Sequence, residues 1–120
     1  MENTILKKKG ANFFGFERID RDGKVHGEPM VIQGNGNLRL TNKGLYFSRW
    51  LPKMDLFIPI EKIKKVEIGN SHNGRWILFP MILKVVYEED GQIKVFGVTV
   101  GWKKVALEWK RQMEEDMIID

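Results

Sequence analysis

Cysteine is absent from this 120-residue chain. Its absence excludes a disulfide framework, a thiolate zinc site and a cysteine nucleophile. Long apolar runs are absent too. The longest, Trp76 to Leu83, is far too short to span a bilayer. A secretory signal is also lacking: the apolar part of the N-terminus is only Ile5-Leu6, and the lysines follow it. The expected compartment is therefore the cytoplasm, with peripheral contact to a membrane as the variant. There is no repeat, low-complexity tract or internal linker, so one domain over residues 1–120 is expected. Lys7-Lys8-Lys9-Gly10 reads as part of a flexible basic tail covering residues 1–11.

What is present has a globular balance, 42% hydrophobic and 30% charged. Period-two patterning dominates. Phe14 and Phe16 alternate with Gly15 and Glu17. Asp20-Arg21-Asp22-Gly23 is a turn cluster, and Gly34-Asn35-Gly36-Asn37 suits a bend or bulge. Leu45 and Phe47 point one way and Tyr46, Ser48 and Trp50 the other, with a return strand from Met54 that ends near Pro59. Met81–Tyr87 and Ile93–Val100 flank an Asp-Gly turn. The period then changes. Trp102, Val105, Ala106, Trp109 and Met113 fall at helical spacing and predict one amphipathic helix over 101–116. The pattern predicts a mainly β fold of about seven strands, a small antiparallel barrel or two packed sheets, capped by one C-terminal helix. Trp76 to Leu83 is expected in the core, with a dimer seam as the alternative.

The segment Gly36-Asn37-Leu38-Arg39-Leu40-Thr41-Asn42-Lys43-Gly44-Leu45-Tyr46-Phe47 resembles the opening strands of pleckstrin-homology-like domains of the GRAM and bacterial types. Ile58-Pro59-Ile60, Ile63, Val66 and the Trp102 helix are similar to that family's later blocks. Asn12-Phe13-Phe14-Gly15, Trp50-Leu51-Pro52 and Ser71-His72-Asn73-Gly74 resemble blocks of short uncharacterised prokaryotic proteins. The resemblance implies a small barrel acting as an interaction module. The basic first strand-to-strand loop of phosphoinositide-binding members is not evident, since the bend here is uncharged.

No catalytic set, cofactor or metal site is expected. Asp20-x-Asp22-Gly23 fails as a calcium loop because Arg18 and Pro29 would fall on ligand positions. His26 and His72 form no spaced pair and read as surface histidines. Glu88-Glu89-Asp90 reads as a solvated turn. The hairpin tip Arg49-Trp50-Leu51-Pro52-Lys53-Met54 stands out, because a tight turn is ordinarily polar. Tryptophan between cations suits a membrane interface or a protein pocket. The other reading folds Trp50 back into the core. Charge adds weight: residues 1–60 hold ten basic and six acidic groups, while residues 61–120 hold ten of each. Lys62, Lys64 and Lys65 form a local cluster. The candidate docking surface is therefore Arg49, Trp50, Leu51, Lys53, Met54, Lys62, Lys64 and Lys65, and its partner a protein or an anionic membrane. Self-association into a homodimer is the alternative. Nucleic acid is a weaker one, because the aromatics fall mostly on inward strand positions.

Overall fold

The structure is a computed structural model that describes residues 1–28 and 30–117. It contains ten strands and one α-helix: β1 (Thr4–Ile19), β2 (Val25–Gly27), β3 (Gly34–Thr41), β4 (Gly44–Arg49), β5 (Met54–Pro59), β6 (Ile63–Gly69), β7 (Ser71–His72), β8 (Arg75–Trp76), β9 (Ile82–Glu89), β10 (Gln92–Thr99) and α1 (Lys103–Met117). A short 3-10 turn, Ile60–Lys62, joins β5 to β6.

The main sheet runs in the order β5-β4-β3-β1-β10-β9-β6 and is antiparallel throughout. These seven long strands are a meander in chain order in which the last, β10, returns to pair with the first. β1 makes this possible by its length. Its first part pairs with β3, from Thr4 against Thr41 to Phe13 against Gly34. Its second part pairs with β10, from Asn12 against Thr99 to Ile19 against Ile93. Register shifts between Lys9 and Ala11 and between Phe13 and Gly15 bend it at the handover.

Alternation then fixes what lies inside. Leu38 and Leu40, Leu45 and Phe47, Ile58, Val85, Tyr87, Phe96 and Val98 are buried in one cluster. Phe13 stacks on Phe96, with ring centres 5.4 Å apart, and tilts against Phe47 at 5.1 Å. The helix packs on β6 and β9 and contributes Ala106, Trp109 and Met113 to this core. The mainly β architecture with one C-terminal helix is thus as the alternation and the change of period predict.

Four expectations need correction. The first eleven residues do not form a flexible tail. Strand β1 starts at Thr4, and Glu2 Oε2 accepts hydrogen bonds from Thr41 Oγ1 at 2.8 Å and Tyr46 OH at 2.5 Å. The lysines are exposed because that stretch of strand faces water, not because it is unpaired. Gly34-Asn35-Gly36-Asn37 is the start of β3, and the bulges sit on β1 opposite it. Trp102 and Val105 are exposed: Trp102 precedes the helix, its carbonyl accepting from the Val105 and Ala106 amides, and Val105 lies on the helix face turned to water. Only Ile82 and Leu83 of the apolar run are buried; Trp76, Leu78 and Phe79 face outward. The run is split between β8, a connection and β9, so its apolarity does not act as one strand.

Candidate functional site

Strands β4 and β5 pair in tight register from Gly44 against Pro59 to Arg49 against Met54, which leaves residues 50–53 as a short projecting turn. Arg49 is the turn's internal brace. Its side chain is buried, Nε donates to the Pro52 carbonyl at 2.6 Å, and Nη1 donates to the Ile32 carbonyl. The Trp50 amide donates to the Asn35 carbonyl at 2.9 Å. One guanidinium therefore ties the β4–β5 turn to the segment before β3. Satisfying two carbonyls with a charged donor holds both segments in place.

Trp50 is 46% exposed, its ring lying where a Cβ on Gly10 would meet it at 3.8 Å, and Leu51 is 85% exposed. Across the Arg49 brace, Met30 and Ile32 are exposed as well. The turn thus presents an apolar tip of Trp50 and Leu51 on a braced backbone, with Lys53 in the turn and Lys9 next to Gly10. The two readings of Trp50 meet halfway, since the ring lies beside Gly10 of β1 yet is about half open to water and outside the core.

The remaining expected docking residues do not join this knob. Arg49 is consumed by the brace. Met54 is half-buried and packs on the core. Lys62, Lys64 and Lys65 lie beyond the far end of β5, a strand of six residues that spans roughly 20 Å. Lys64 pairs with Glu88 at 3.2 Å and Lys65 with Glu67 at 3.3 Å. Sequence proximity to a basic half did not make them neighbours of Trp50.

His72, expected on the surface, is buried. It belongs to the β7–β8 hairpin, which lies against the outer face of β1, β10 and β9. Gly15, Gly97 and Lys84 stand in one row across these strands. A Cβ on Gly97 would come within 2.3 Å of the His72 ring, so only glycine leaves room for it. His72 Nε2 donates to the Gly15 carbonyl at 2.8 Å, and Nδ1 stands 3.3 Å from Glu17 Oε1. Lys84 Nζ sits 3.3 Å from the same Glu17 oxygen and donates to the Ser71 carbonyl at 3.0 Å. Glu17 Oε2 accepts from the Asn73 amide at 2.8 Å. Burial pushes the His72 pKa below its ordinary value, against the opposing pull of the Glu17 charge.

This cluster was missed from the sequence, although Gly15 and Gly97 are its spacing signal in the folded chain. Its imidazole and carboxylate are covered, so the contacts they make latch a hairpin. His26 meets Asp20 at 2.8 Å in an exposed turn, where Asp20 Oδ1 also accepts from the Asp22 and Lys24 amides. That set closes the β1–β2 turn, as the turn reading of Asp20 to Gly23 expects.

Neither a family model nor a curated protein matches the chain. A solved structure from work on SsgB mutations and longitudinal cell division during sporulation of Streptomyces coelicolor aligns with 94% of this chain and 90% of its own. The identity is 3% and the TM-score 0.34, a likeness that carries no argument about function. Among the described residues, no helix is long and apolar enough to cross a membrane.

Proposed function

We propose that this chain is a non-enzymatic docking module built on a pleckstrin-homology-like barrel, and that its knob at Trp50 and Leu51 seats in a pocket of a protein partner. The seven long strands joined through β1 and β10, with a helix at the end, support the kinship read from the Gly36–Phe47 segment. The observation that carries the docking reading is the Arg49 brace. A buried guanidinium spends its hydrogen bonds on the Pro52 and Ile32 carbonyls, which fixes the backbone that carries exposed apolar side chains. A turn whose backbone is already held is what a pocket rewards, because less loop freedom is lost on binding. A protein pocket suits the knob better than a charged membrane, because the cluster Lys62, Lys64 and Lys65 lies elsewhere and Arg49 is buried.

The test replaces Ile32 with a photo-crosslinking amino acid in the cells of origin. The module reading expects a discrete adduct with one protein, lost when Leu51→Glu is added. Absence of an adduct, or an adduct indifferent to Leu51→Glu, would overturn it.

A further inference from the structure

We infer that a second exposed face, formed by Phe79, Pro80 and Trp102 with Lys103 and Lys104 beside it and with exposed Trp76 and Leu78 just before it in the chain, is a peripheral contact for an anionic phospholipid surface. The face stands apart from the Trp50 knob, sharing no residue with it, and does not rest on the protein-docking reading.

Three observations carry it. The first is apolar protrusion. Trp76 is 74% exposed, Leu78 83% and Trp102 69%. Trp76 ends β8, Leu78 and Phe79 follow in the connection to β9, and Trp102 lies between β10 and α1; Phe79 and Trp102 meet edge to face at 6.2 Å. A lone exposed apolar group needs no explanation, but a contiguous set does. The second is shape. Phe79, Pro80 and Trp102 wall a groove of about 380 Å³ that opens beside Lys103 and Lys104. Aromatic side chains with apolar bodies and amphipathic edges sit well at the level of lipid headgroups.

The third is charge, and it selects the occupant. Further along the helix the cations are neutralised: Lys110 pairs with Glu114 at 2.6 Å, and Arg111 with Glu108 and Glu115. Lys103 and Lys104 have no carboxylate partner among the described residues, and the first turn of the helix holds no acidic residue. Two unpaired ammonium groups beside an aromatic cluster complement a negative surface. A second copy of this chain fits less well, because a symmetric contact would set these lysines against each other.

The experiment uses phosphatidylcholine vesicles with and without phosphatidylserine, and brominated acyl chains as quenchers. Trp50→Phe and Trp76→Phe leave Trp102 to emit with Trp109, which is buried in the core. A companion protein adds Trp102→Phe, so that Trp109 emits alone as the internal reference. The inference expects co-sedimentation with the phosphatidylserine vesicles and quenching only where Trp102 is present. It also expects Lys103→Glu with Lys104→Glu to lower partitioning by about tenfold or more. Failure to sediment would overturn it. So would sedimentation with no Trp102 quenching, equal quenching of Trp109, or indifference to the charge reversal. A concentration-dependent dimer abolished by Trp102→Ala would assign the face to a second copy instead.

Discussion

Individual residues here are set by close approach more than by their own propensities. Gly97 is glycine because the His72 ring occupies the place of its side chain. Gly97→Ala should cost about 1–3 kcal/mol through overpacking. Adding His72→Ala should return part of that loss, a coupling that urea unfolding of the double-mutant cycle would read out. His72 also sets a pH dependence. Its pKa is lowered in the fold, so the unfolded chain takes up its proton first as the solution is acidified. The contribution is full above about pH 6.5, the ordinary value, and declines as pH falls toward the lower folded value. Stability measured from pH 7 downward should therefore drop, and His72→Gln should flatten the slope by up to one proton. An identical slope in the variant would mean that other groups set it.

At the scale of elements, β1 joins the two halves of the sheet and α1 covers β6 and β9. Deleting residues 1–9 removes the pairing of Thr4 to Lys9 with β3, along with the Glu2 contacts to Thr41 and Tyr46. The truncated chain should unfold at clearly lower urea than the full chain; an unchanged midpoint would restore the flexible-tail expectation. On the helix, Trp109→Ala should cost about 3–5 kcal/mol, because the ring lies in the core. Trp102→Ala should cost far less, being outside the helix and open to water. Equal losses would mean that the helix is rotated from the orientation described.

For the molecule as a whole, much of the architecture could be read from short-range pattern. Leu45, Phe47 and Ile58 alternate within one hairpin, and Asp20 caps its own turn, so neighbours in sequence carry the information. Ala106, Trp109 and Met113 declare the helix by spacing alone. The pairing of Lys7–Lys9 with Arg39 and its neighbours joins residues some thirty apart, and nothing in a run of lysines announces a strand. His72 is buried by two glycines from β1 and β10, which no local pattern links to it. Trp76 to Pro80 looks like core because apolarity is the commonest sign of burial, yet it faces outward. The apolar tip was half legible: its side chains stood out among turn residues, while the Arg49 brace to the Ile32 carbonyl needed the fold.

The central claim is that the knob at Trp50 and Leu51 exists for a partner and not for the barrel. The most direct measurement sets the urea midpoint of Leu51→Glu beside its crosslinking from position 32. The account predicts an unchanged midpoint and a vanished adduct. A midpoint that falls while the adduct persists would contradict it.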